Sequence, residues 1–131
     1  MKLITRDSDY AIRAVAFIAS YKERIVPVTE LVKDLKIPRP FLRKILQLLN
    51  KDGVLISHKG RGGGFELAIP PKNIYVIDII EIFQGPFKLN ECSLSKKMCP
   101  NIKMCLLKKR VDRIEEGVVA ELKRITISSI L

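Results

Sequence analysis

Apolar residues recur at helical spacing in several stretches of the chain and at strand spacing in one short region. Asp7-Ser8-Asp9 supplies helix-capping chemistry, and Tyr10 to Lys22 contains no Gly or Pro. Ile12, Val15, Ala16 and Ala19 share one face of the predicted helix, while Ala14, Phe17 and Ile18 make the opposite side apolar too. A helix apolar nearly all round is expected inside the domain or at a subunit contact. Pro27 ends the linker that follows, and Thr29 is expected to cap a short helix through Leu35, with Leu31, Val32 and Leu35 inward. Lys36-Ile37-Pro38 leaves room only for a tight turn. Pro40 suits the first turn of the next helix, where its missing N–H would be unpaired anyway.

That helix is predicted to run to about Asn50 and to end at Asp52-Gly53. Phe41, Leu42, Ile45, Leu46, Leu48 and Leu49 form its apolar stripe, and Arg39, Arg43, Lys44, Gln47 and Lys51 its polar face. Two β-type segments come next, Val54 to His58 and Phe65 to Ala68, joined by Lys59-Gly60-Arg61-Gly62-Gly63-Gly64. Such a pair reads as a hairpin with a glycine-rich basic tip. Ile77 to Phe83 is a short apolar helix closed by Gln84-Gly85-Pro86, and Phe87 to Met104 lacks periodicity. From about Cys105 to near Ile125, Leu107, Val111, Ile114, Val118, Leu122 and Ile125 form one apolar seam. So little domain precedes this long helix that a second copy of the chain is its natural cover, the alternative being that it folds back on its own domain.

The expected fold is therefore mainly α with a small β-hairpin wing: a winged helix-turn-helix domain plus a long C-terminal dimerisation helix. Residues 1–84 would be the DNA-binding domain, with the wing at about 53–70. Residues 85–105 would form a cysteine-containing sensor loop, and 106–131 the dimerisation helix and tail.

Charge narrows the function. Lys and Arg number 24 against 14 Asp and Glu, a formal net charge of +10, so a polyanionic partner is expected. RNA or an acidic membrane surface would also answer to charge alone. The helix-turn-helix order selects double-stranded DNA, because a major groove admits an α-helix and displays distinct base edges. Arg39, Pro40, Arg43 and Lys44 fall at the base-reading end of the second helix. Lys59 and Arg61 at the wing tip suit a minor groove or phosphates, and Thr29 and Lys33 suit phosphates. No Ser/His/Asp set, nucleotide-binding loop or paired acid is present, and a lone His58 leaves little for general acid–base work, so an enzyme is not expected. No signal segment or membrane-length apolar run occurs, and a cytoplasmic protein is expected.

The cysteines, Cys92, Cys99 and Cys105, are separated by six and five residues. Zinc sites favour shorter pairs, whereas three thiolates from one loop can hold an iron–sulfur cluster if a fourth ligand arrives from elsewhere. Lys88, Lys96, Lys97, Lys103, Lys108 and Lys109 surround them, and positive charge favours the thiolate form.

Met1-Lys2-Leu3, Asp9-Tyr10-Ala11-Ile12-Arg13, Ile37-Pro38-Arg39-Pro40-Phe41-Leu42, the wing from Lys59 to Phe65, Gly85-Pro86 and the three-cysteine loop together resemble the Rrf2 family of bacterial transcriptional regulators, in its iron–sulfur cluster-binding branch. The resemblance covers essentially the whole chain. It implies a homodimer on a partly palindromic operator, with Cys92, Cys99 and Cys105 as ligands of a 2Fe–2S or 4Fe–4S cluster. The first cysteine gap is longer here than is usual in those relatives. Lys108 stands where some of them place a histidine ligand, and a protonated lysine cannot ligate iron. Asp9 aligns with an acidic ligand that other members supply across the dimer, and it equally suits the N-terminal dipole of its own helix. A cluster-free member controlled by a protein partner or by thiol oxidation is the alternative.

Overall fold

The computed structural model describes residues 2–21, 24–89 and 106–131. Among the described residues, five helices and one hairpin follow in the expected order: α1 (Arg6–Ser20), α2 (Val28–Leu35), α3 (Arg39–Lys51), β1 (Leu55–His58), β2 (Gly64–Leu67), α4 (Val76–Gln84) and α5 (Leu106–Leu122). Short 3-10 turns, Pro71–Asn73 and Ser128–Ile130, flank the last two helices. No helix among the described residues is long and apolar enough to cross a membrane.

Helix α1 lies at the centre, packed against α2, α3, α4 and β2. It begins earlier than its Asp7-Ser8-Asp9 pattern suggests. Thr5 is the cap, accepting from the Ser8 N–H. Ser8 itself is turned inward and fully buried, where its hydroxyl donates to Gln84 Oε1 at 2.7 Å. The Thr5 N–H donates to the same oxygen at 3.0 Å. A buried hydroxyl without a partner would cost about 1–3 kcal/mol, so this contact fixes the start of α1 on the end of α4. The buried stripe of α1 is Ala11, Ala14, Val15, Ile18 and Ala19, with Ile12 and Ala16 only half-buried. Alanines along it let the neighbouring helices approach closely.

Thr29 lies inside α2 and does not cap it. The Pro27 carbonyl accepts from the Glu30 and Leu31 N–H groups, which leaves the Thr29 hydroxyl uncommitted to the helix end. Lys36 closes α2 in the left-handed conformation, φ 55°, and its N–H returns to the Val32 carbonyl at 3.0 Å. Ile37, buried, pins the turn, and the Pro38 carbonyl accepts from Leu42 N–H to start α3.

In α3 only Leu42, Ile45, Leu46 and Leu49 are buried. Phe41 and Leu48, expected in the same stripe, are exposed by 44% and 42%. A helix packed on one side can bury only an arc of its surface, and these two fall outside it. The Arg6 guanidinium lies 5.1 Å over the Phe41 ring, a cation–π contact that joins the starts of α1 and α3.

Strands β1 and β2 pair antiparallel with Leu55 opposite Leu67 and His58 opposite Gly64. A third segment joins them: Val26 bridges Phe65 through hydrogen bonds of 2.8 and 2.9 Å. Helix α4 ends at Gly85 as anticipated, and α5 stops at Leu122, short of Ile125. The chain then folds back. Val76 N–H donates to the Ile125 carbonyl and Ile127 N–H to Ile74, with Ile127 fully buried. Only Leu122 of α5 is buried within one copy, whereas Leu106, Leu107 and Ile114 are exposed by 73%, 71% and 60%.

Candidate nucleic-acid interface

A groove of about 490 Å³ runs between α3, the start of α2 and the wing. Helix α3 contributes Arg39, Arg43, Gln47 and Asn50, spaced four, four and three residues apart and therefore on one side of the helix. Thr29 faces it from α2, and Ser57, His58 and Lys59 from the wing. Pro27, Val28 and Phe65 line it as well, so cationic and hydrogen-bonding side chains share the wall with apolar ones. Its chemistry matches a sugar–phosphate strand passing between a helix and a wing.

The wing tip is shaped by its glycines. Gly63 N–H donates to the Gly60 carbonyl at 3.0 Å, closing the turn that presents Lys59 and Arg61 to solvent. At Gly64, φ +153°, an added Cβ would lie 2.2 Å from the Val26 carbonyl oxygen. Only glycine lets the bridge from Val26 to Phe65 form. Across the hairpin His58 Nε2 donates to Glu66 Oε1 at 2.8 Å, which holds the imidazole at the groove edge.

The sequence-predicted residues divide. Thr29, Arg39, Arg43 and Lys59 come together in the groove. Pro40 lies in the first turn of α3 and Lys44 on its exposed face, both beyond the groove wall. Lys33, in the last turn of α2, and Arg61, at the wing tip, are exposed and also outside it. The sequence pattern puts Gln47 on the polar face and Asn50 at the end of the helix without a role for either, and nothing in it marks Ser57. The spacing from Arg39 through Arg43 and Gln47 to Asn50 was the available signal.

Cys92, Cys99 and Cys105 lie outside the described residues, and so do Lys96, Lys97 and Lys103. Among the described residues, no group of three or more His, Cys, Asp and Glu could hold a metal ion. Asp9 sits exposed in the first turn of α1, 3.1 Å from Arg13 one turn on. Lys108 pairs with Asp112 at 2.6 Å. The start of the cysteine segment is anchored: Leu89 N–H donates to Glu115 Oε1 at 2.9 Å, and Lys88 lies 3.8 Å from the same carboxylate.

Residues 4–131 match the Rrf2 family, described as an iron-dependent transcriptional regulator. The chain belongs to the Rrf2 family. It is also similar to a protein named as an HTH-type transcriptional regulator of Aquifex aeolicus, 36% identical over 124 residues, 93% of this chain and 86% of that relative. In structure it is similar to the global cysteine regulator CymR of B. subtilis, with a TM-score of 0.82 at 21% identity over 99% of this chain and 96% of that one. T. potens IscR superposes with a TM-score of 0.77 at 22% identity, over 99% of this chain and 85% of that one. These two likenesses concern the fold. As an Rrf2-family member the chain is a DNA-binding transcriptional regulator and not an enzyme.

Proposed function

We propose that two copies of the chain bind a partly palindromic operator in the cytoplasm, and that an iron–sulfur cluster sets the strength of that grip. The observation that carries the DNA-reading part is the groove in which Arg39, Arg43, Thr29 and Lys59 converge. The α3 helix enters the major groove, with Arg43 bidentate to a guanine edge and Arg39, Pro40 and Lys44 beside it. Lys59 and Arg61 reach the adjacent minor groove or its phosphates, and Thr29 and Lys33 hold phosphates. The bare apolar residues of α5 supply the contact between copies, because large exposed side chains such as Leu107 and Ile114 gain by mutual burial.

Cys92, Cys99 and Cys105 are the thiolate ligands, with Asp9 of the partner subunit as the fourth. The donor set fits such a group. Among the described residues the one side-chain partner of Asp9 is Arg13 on its own helix, an i,i+4 pair worth about 0.3–0.5 kcal/mol, so the carboxylate is released cheaply. Lys108 is excluded by its charge and by its pair with Asp112. A bound cluster would supply a link sensitive to oxidation or loss. Within the chain, Glu115 ties the start of the cysteine segment to α5, and Gln84 ties the end of α4 to the start of α1.

Anaerobic purification followed by iron, sulfide and visible-absorption analysis tests the cluster. Iron and acid-labile sulfide that disappear in Cys92→Ala support it; protein free of both refutes it. The second reading is a cluster-free regulator switched by thiol oxidation or a protein partner, favoured by the missing histidine at position 108. It expects no iron and a DNA affinity altered by a thiol oxidant.

A further inference from the structure

The outward pole of α3 carries one uncharged side chain able both to donate and to accept a hydrogen bond. Leu42, Ile45, Leu46 and Leu49 define the inward direction of this helix. At about 100° of turn per residue, the opposite pole falls among Pro40, Lys44, Gln47 and Lys51. Gln47 stands roughly 30° from that pole, on the side toward the wing. Of those four residues it alone also lines the groove. Arg43, Asn50 and Arg39 line the groove too, but from about 70°, 90° and 110° off the pole, so Gln47 is the groove residue that points most directly outward.

Chemistry separates the four at the pole. Pro40 has no donor, and Lys44 and Lys51 are point charges without an acceptor. The Gln47 carboxamide offers a donor and an acceptor in one plane, the match for adenine N7 and N6 in the major groove. Among the described residues no side-chain hydrogen bond uses it, so nothing within the protein must be broken first.

We propose that Gln47 is a specificity-determining residue of the interface, reading an adenine in the major groove one helical turn beyond the base met by Arg43. The inference rests on the DNA-reading function above. One turn of α3 advances about 5.4 Å, which places the adenine roughly two base-pair steps from the Arg43 contact in each half-site.

Selection by the full-length protein from a duplex library with randomised half-sites, read by sequencing and then by fluorescence anisotropy, tests it. The parent is expected to enrich an adenine at one position of each half-site. Gln47→Ala should lose about tenfold or more of the discrimination there, with the preferences at every other position kept and any loss on random duplex far smaller. Gln47→Glu should shift the preference at that position toward cytosine, whose amino group donates to a carboxylate. If parent and Gln47→Ala enrich the same motif to the same degree, Gln47 is no base reader. A variant that weakens motif and random duplex equally also overturns the proposal, because it marks a phosphate contact. If the parent enriches no motif at all, the DNA-reading function fails with it.

Discussion

Replacing Gly64 by alanine separates the glycine required by packing from those required only by the turn. At φ +153° a residue with a Cβ is disfavoured, at a cost of about 1–3 kcal/mol. The new methyl would also stand 2.2 Å from the Val26 carbonyl oxygen, 2.6 Å from its carbon and 2.9 Å from Pro27 Cα, all backbone atoms that cannot rotate away. Relief requires Val26 to move, which breaks the two hydrogen bonds of 2.8 and 2.9 Å that bridge it to Phe65. At about 1 kcal/mol each those bonds bring the loss to about 3–5 kcal/mol. For a chain of this size that lowers the thermal midpoint by roughly 10–20 °C. Gly62→Ala is the control. Its φ is +72° with nothing within 4 Å of the added methyl, so only the backbone preference is lost, about 1 kcal/mol. Circular dichroism melts of both variants, with duplex binding measured below the transition, read the difference. A Gly64→Ala midpoint equal to that of Gly62→Ala would refute the claim that the bridge to Val26 demands glycine.

Other positions give further expectations. Leu46 is fully buried beneath the interface, so Leu46→Ala should cost about 2–5 kcal/mol in urea unfolding; less than 1 kcal/mol would contradict its place in the core. Lys59→Ala should weaken specific and random duplex alike and lower the salt dependence of binding by about one counterion, measured as the log–log slope. An unchanged slope would remove Lys59 from the phosphate path. Ile114→Glu on the bare face of α5 should convert a dimer to monomers in sedimentation without lowering the monomer's stability. A variant as dimeric as the parent would place the contact elsewhere.

The helix order, the wing and most of the groove were legible because each has a local signature: a stripe, a capping glycine, a basic tip. That Arg39, Arg43 and Lys59 lie on one surface could be read from those patterns alone. Phe41 and Leu48 show where pattern stops. Apolarity marks what can be buried, and the width of the neighbouring surface decides what is. Gln84 shows a second limit. Its two hydrogen-bonding partners, Thr5 and Ser8, lie 79 and 76 residues away, and nothing local marks such a pair. The return of Ile125 and Ile127 to the segment beginning at Ile74 is of the same kind, and it is why the apolar seam of α5 looked longer in sequence than it is. Gln47 was missed for a different reason. Its spacing puts it on the side of α3 that carries Arg39 and Arg43, but the groove wall that singles it out from the other polar residues is tertiary.

The bridge from Val26 to the wing also bears on the entropy of recognition. It joins the strand pair to the segment that leads directly into α2, so Thr29 and Lys59 are carried by one cross-tied backbone. A wing that hung free would have to be immobilised at the DNA, at about 1–2 kcal/mol for each residue ordered. Here the backbone as far as the tip is already committed, and the ordering left to the duplex falls mainly on long side chains such as Lys59 and Arg61. On the proposed function the wing would meet DNA as a caliper of set width, and a duplex whose groove departs from that width would itself have to deform to be held.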